Sequence, residues 1–330
     1  LNSIAKPLLV SIILVPLLIP EKLKVLVLFI ILIIGYSINM LMSLAINSWF
    51  VNVIPINIRG RYFAIRQVFA VIISALVPLI SGIILDITGK SYKGFAILYA
   101  TALVFIIAEN IAFWNIEDSY IENSDREKFN IADVFRMPLK NKEFMGFTYK
   151  MIFFYMVLYI SASFSQVYMI RYLRLSYTFI STMSTINALI QIFILPWWGK
   201  ICDRRGNEFA LRISIWFFAG DIAMWALVSR SSMFVFIPMA YIFGAFSNSG
   251  FAVANFNRKY SVIPEKCRTF YDGFYTTAIG LTLLIAPFIG GRIKSFLAGA
   301  SFVQGNIEFG EFRILYALSV LGIVSLQVFD

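Results

Sequence analysis

The sequence predicts an all-α protein, a polytopic bundle of transmembrane helices, on three observations. Hydrophobic residues make up 60% of the 330 positions and charged residues only 14%, with a mean hydropathy of +0.81, far from the balance of a water-soluble domain. Apolar stretches close to the length needed to span a membrane recur along the whole chain, since about 20 helical residues cross a hydrocarbon layer of about 30 Å. Lys and Arg fall almost wholly in the short connections between those stretches.

Ten apolar runs follow one another: 4–20, 25–49, 62–85, 94–115, 146–170, 178–198, 211–228, 233–254, 269–290 and 314–329. The first and last are short for a span and are expected to borrow from their flanks. One connection is long and polar, running from Ile116 to Glu143 and carrying Glu117, Asp118, Glu122, Asp125, Arg126, Glu127 and Lys128. Such a stretch cannot lie in lipid, so it is expected to link two domains, 1–115 and 144–330, across 116–143. Within it, Asn130, Asp133, Val134, Phe135 and Pro138 outline a short capped surface helix.

Orientation follows from the alternate connections. Those at 50–66, 116–143, 199–212 and 256–268 hold about 16 Lys and Arg against about 10 in the opposite set, which predicts that the first set, and with it both termini, faces the cytoplasm.

Composition also excludes. The net charge of +10 forms no contiguous basic stripe for a nucleic-acid backbone to follow, so no nucleic-acid partner is expected. The chain has no histidine and only Cys202 and Cys267, which removes His/Cys metal sites and a histidine base. Both cysteines are expected in reduced cytoplasmic connections. With no paired nucleophile and base and no phosphate-binding glycine loop, the chain is not expected to be an enzyme or to carry a cofactor or metal.

The sequence repeats itself at an offset of 209 residues, from Pro55 to Pro264. In the same register Arg59 matches Arg268, Tyr62 matches Tyr271, Pro78 matches Pro287 and Gly82 matches Gly291. Pro55 and Pro264 suit the end of a connection, where a missing N–H does no harm. Pro78 and Pro287 are expected to kink matching helices, with Gly82 and Gly291 allowing close helix contact. If 144 opens the second half, its counterpart would lie about 65 residues before Leu1, room for two further spans.

Between the sixth and seventh runs stands Gly199-Lys-Ile-Cys-Asp203-Arg204-Arg205-Gly206-Asn207, which resembles the G-x-x-x-D-R/K-x-G loop of the major facilitator superfamily. The segments around Arg59-Gly60-Arg61 and up to Arg268 look like that superfamily's entries to helices 5 and 11. The resemblance implies its fold of two pseudo-symmetric halves, here helices 3 to 12 with the first half incomplete. It further implies a bacterial cytoplasmic membrane protein, a secondary transporter of one small molecule, coupled to proton or sodium and working as a monomer in the lipid bilayer. Gly199, Asp203, Arg204, Gly206, Arg59, Gly60, Arg61 and Arg268 would then form the gating elements, with Asp203 close to Gly60 and Arg61. A carboxylate such as Asp203 suits a helix N-terminus, where the dipole favours it by about 0.3–1 kcal/mol. A receptor or scaffold on the same fold is the competing reading.

Polar side chains in hydrocarbon normally face the bundle interior. At 100° per residue, Lys150, Ser161 and Tyr168 share one face, with Phe154 and Ser165 beside it. Ser184, Asn187 and Gln191 form a second stripe, Tyr36, Asn39, Ser43 and Asn47 a third, Gln67, Ser74 and Ser81 a fourth, and Tyr241, Asn248 and Asn255 a fifth. As a set they are expected to line a cavity that hydrogen-bonds its ligand, with hydrogen bonding between helices as the alternative for any one residue. Among the acids, Glu109 and Asp221 are expected on peripheral helices away from substrate, and Asp272 in a local pair with Arg268.

Overall fold

The computed structural model describes residues 2–53, 56–114, 131–264, 268–297, 302–304 and 307–328. The side chains of Arg59, Gly60, Arg61, Gln67 and Arg268 lie outside the described residues, and so does the expected contact of Asp203 with Gly60 and Arg61. The chain divides into two compact units, Leu1–Arg126 and Glu127–Asp330.

In the first unit the run at 4–20 is broken into α1 (Asn2–Val10), a 3₁₀ turn (Ser11–Leu14) and α2 (Val15–Leu18), followed by α3 (Glu21–Val53), α4 (Ile56–Ile87) and α5 (Tyr92–Trp114). Pro16, early in α2, suits a helix start because the N–H it lacks has no helical partner there. α1 packs on α3 and α5. Lys6 and Glu109 close an ion pair between α1 and α5, and the Tyr92 hydroxyl donates to the Ile13 carbonyl at 2.9 Å.

The second unit begins with the short helix α6 (Ile131–Lys140), which lies on α12: Phe135 meets Phe274 edge to face and the Tyr271 hydroxyl reaches the Met137 carbonyl at 3.3 Å. Then come α7 (Lys142–Ala162), a turn of helix α8 (Ser165–Val167), a π-helical turn (Tyr168–Tyr172), α9 (Tyr177–Arg205), α10 (Asn207–Leu227), α11 (Met233–Val262), α12 (Arg268–Phe296) and α13 (Glu311–Val328). Between α12 and α13 a small antiparallel hairpin pairs β1 (Phe302–Gln304) with β2 (Ile307–Phe309).

Side-chain oxygens set two of the helix starts. Asn141 accepts from the Phe144 N–H and Ser176 from the Phe179 N–H, each at 3.1 Å, satisfying donors that the first helical turn leaves open. The break between α9 and α10 needs one residue alone: Gly206 at φ 86°, a conformation that glycine adopts without steric cost. The expected loop at 199–207 is therefore helical through Arg205, and Gly199 sits within α9 rather than at a turn. Cys202, expected in a connection, is a buried residue of α9.

The burial pattern is that of a membrane protein. Among the described residues seven helices are long and apolar enough to span a bilayer, and their outward faces carry bulky apolar side chains such as Phe105, 71% exposed, and Phe193, 81% exposed. The protein is an integral membrane protein. α10 packs on α9, α11 and α13, and α7 on α12 and α13. Aromatic rings fill the centre, with Phe154 stacked on Phe251 at 5.0 Å and edge-on to Phe218 at 5.3 Å.

At Gly290, α12 comes close to the backbone of α7. A Cβ there would overlap the main-chain carbonyl of Ile160 on α7, whereas one on Gly291 would meet only the Phe164 ring at 3.8 Å. The glycine that permits close contact is thus Gly290, one position before the Gly291 that the internal repeat singles out.

Candidate functional site

Two adjoining cavities of the second unit share Asp221, Trp225 and Asn248 in their linings. The smaller, about 250 Å³, is bounded by Ser184 and Asn187 of α9, Asp221 and Trp225 of α10, and Tyr241 and Gly244 of α11. The larger, about 400 Å³, lies towards α7 and is walled by Tyr155, Leu158, Tyr159, Phe218 and Phe251.

The sequence around each position explains the arrangement. Ser184, Asn187 and Gln191 stand one above another on α9, and Tyr241, Gly244 and Asn248 do the same on α11. The Asn187 amide Nδ2 donates to the Tyr241 carbonyl at 2.6 Å, and its Oδ1 accepts from Gln191 Nε2 at 2.6 Å. Ser184 and Tyr241 are joined side chain to side chain. Asn248 donates to the Gly244 carbonyl at 2.6 Å and is exposed at the cavity edge.

Gly244 makes room for the acid. A Cβ at this position would stand 3.3 Å from Asp221 Oδ2 and 3.6 Å from Asn187 Nδ2, tighter than ordinary packing against the carboxylate. Trp225, one turn further along α10, offers its indole N–H to the same carboxylate. Asp221 stands on the helix that the chain order makes peripheral. Its side chain points between α9 and α11, and the lipid-facing side of α10 is occupied by residues such as Trp216, 46% exposed.

The other residues singled out by the sequence disperse. Ser161 is fully buried with its hydroxyl towards the Leu158 carbonyl at 3.4 Å. Tyr168 is buried against Phe312 and donates to the Val228 carbonyl at 3.0 Å. Lys150 lines a separate pocket of about 440 Å³ with Glu143, Glu208 and Arg258. Asn255 accepts from the Tyr275 hydroxyl at 3.2 Å, and Asn39 is half-buried in the first unit. Asp203 and Arg204 are exposed near the end of α9, and Arg205 lies over the Phe209 ring at 5.1 Å. Asp272 pairs with Lys259 of α11 at 2.5 Å, aided by the Tyr260 hydroxyl at 3.2 Å, while the side chain of Arg268, its expected partner, lies outside the described residues.

The family model described as Major Facilitator Superfamily matches residues 7–287, most of the chain. The chain belongs to the major facilitator superfamily. Solved structures of other superfamily-type transporters share its fold. A bacterial homologue of the iron transporter ferroportin, in an inward-facing state, is 16% identical with a TM-score of 0.69, covering 99% of this chain and 80% of that one. The nucleoside transporter NupG is 12% identical with a TM-score of 0.72, covering 99% and 81%. A bacterial homologue of the human lysosomal transporter Spinster, inward-facing and unoccupied, is 14% identical with a TM-score of 0.65, covering 99% and 79%. Among curated protein sequences none matches the chain. Membership of the superfamily makes this a membrane transporter and not an enzyme.

Proposed function

We propose that the protein is a secondary active transporter that carries one small solute by alternating access, its two halves opening the solute path to each side of the membrane in turn. The observation that carries this reading is the cavity of about 400 Å³ beside α7. Tyr155, Tyr159, Trp225 and Phe251 give it flat apolar walls, while Asp221 and Asn248 supply its hydrogen-bonding groups. A pocket of few polar groups on an aromatic frame suits a small molecule with one flat apolar face and a few donors or acceptors.

The positive-inside bias supports a bacterial cytoplasmic membrane with both termini on the cytoplasmic side. Coupling to proton or sodium and a monomeric working unit complete the proposal. The gating role belongs to Asp203, Arg204 and Gly206 at the α9–α10 break, together with Gly199 within α9 and with Arg59, Gly60, Arg61 and Arg268. Gly206 supports it by concentrating the backbone change in a single residue at φ 86°.

Uptake and efflux by the full-length protein in proteoliposomes, against a panel of solutes and with and without an uncoupler, test the proposal. Saturable movement of one solute class is the expected result. Tight binding of a solute without movement would replace transport by a receptor function.

A further inference from the structure

We infer that the smaller cavity, between α9, α10 and α11, is a binding site for a single positive charge, taken up as a proton or an alkali ion by the Asp221 carboxylate. The inference deepens the transport reading by giving the coupling ion a place.

A carboxylate within the membrane-embedded part of a bundle is costly unless something neutralises it. Among the described residues no lysine or arginine pairs with Asp221, whereas Glu109, Glu143, Asp272 and Glu311 each have a basic partner. The ionisable groups that face it are phenols: Tyr241 of α11, Tyr155 and Tyr159 of α7 and Tyr316 of α13. Arg313 of α13, a buried cation near the same helix, is held by the Ala226 and Leu227 carbonyls at 3.0 and 2.7 Å. One uncompensated negative charge calls for one positive charge, which favours a monovalent occupant over a divalent one.

Geometry supplies the rest. Neutral oxygens surround the carboxylate, from Ser184, Tyr241 and Asn248, and the space of about 250 Å³ is enough for an ion with part of its water. The Asn248 amide is turned with Nδ2 to the Gly244 carbonyl at 2.6 Å, so that its oxygen is the group left for a cation. Asp221, Trp225 and Asn248 are the shared wall with the larger cavity. A positive charge placed on one side of that wall therefore alters the electrostatics and side-chain positions on the other. That is the physical content of coupling between two sites.

Trp225 beside the carboxylate is a built-in reporter. Its fluorescence is to be followed in the full-length protein, in detergent and without solute, in two arms: sodium replacing choline at constant ionic strength and fixed alkaline pH, and acidification in sodium-free buffer. A saturating response in the first arm identifies an alkali ion, and a response in the second alone identifies a proton. Asp221→Asn is expected to abolish the response, Trp225→Phe to remove the signal, and Asn248→Ala to shift the midpoint about tenfold towards weaker binding. The inference is overturned if wild type responds in neither arm, if magnesium acts as well as sodium, or if Asp221→Asn responds while eluting as a folded particle. Should that variant not fold, an unshifted midpoint in Asn248→Ala overturns it equally. Because no solute or gradient enters the measurement, its outcome is independent of whether the protein moves any solute in liposomes.

Discussion

Asn187 of α9 gives its amide hydrogen to the backbone carbonyl of Tyr241 on α11 at 2.6 Å, and the two helices thereby meet directly beside Asp221. Gln191, one turn along, holds the Asn187 oxygen and so fixes which way the amide points. The pair orients the wall of the smaller cavity as much as it stabilises the bundle.

Replacing Asn187 by Leu is expected to cost about 0.6–1.7 kcal/mol, the range for a hydrogen bond between membrane helices. Thermal unfolding in detergent measures it. Combining Asn187→Leu with Gln191→Leu should cost less than the sum of the two single changes, since both act through one network.

Gly290→Ala should destabilise by about 1–3 kcal/mol, because the added methyl meets the Ile160 carbonyl, which is backbone and cannot turn aside. Gly291→Ala, with only the Phe164 ring at 3.8 Å, should stay within about 0.5 kcal/mol of wild type. The same unfolding measurement separates the two neighbours, and equal losses would refute the assigned approach of α12 to α7.

Arg313 closes the C-terminal end of α10 through the Ala226 and Leu227 carbonyls. Each such charged hydrogen bond contributes about 1.5–3 kcal/mol, and the positive charge also suits the negative end of the helix dipole. Arg313→Met should therefore lower stability by about 3–5 kcal/mol. Arg313→Lys should recover less than half of it, because an ammonium cannot reproduce the planar fork that serves two carbonyls. Chemical denaturation in mixed micelles reads both.

Asp203 is exposed at the end of α9, two residues before the final residue of that helix. If it works as a gate, Asp203→Asn should slow transport at least about tenfold, or ~1.4 kcal/mol of barrier, while protein abundance in the membrane stays unchanged. Unaltered transport would end the gating proposal.

Much of this molecule is legible in one dimension. Apolar runs of membrane-spanning length become helices because length and hydropathy are local properties, and the motif ending in Gly206 marks the α9–α10 break because only one positive φ is needed there. The stripe Ser184, Asn187 and Gln191 was likewise readable from helical spacing. What the helix face does not reveal is the partner across it. Asp272 finds Lys259, a partner on another helix. Gly290 and not Gly291 meets α7, because the helix phase at a crossing is set by tertiary packing. Helix order places Asp221 on a peripheral helix, but only the rotation of α10 about its own axis decides where a single side chain points. An acid within a membrane helix, with no basic residue a turn away, is the signal in the sequence that points to it.

Transport is proposed to run through the solute cavity of the second half. Its most direct test is exchange of a labelled solute across proteoliposomes, comparing the wild-type protein with Tyr155→Ala and Phe251→Ala, which remove two walls of the larger cavity. Saturable exchange is expected in wild type, with a rise of at least about tenfold in the half-saturating solute concentration in both folded variants. Exchange with unchanged half-saturation in both variants would contradict it.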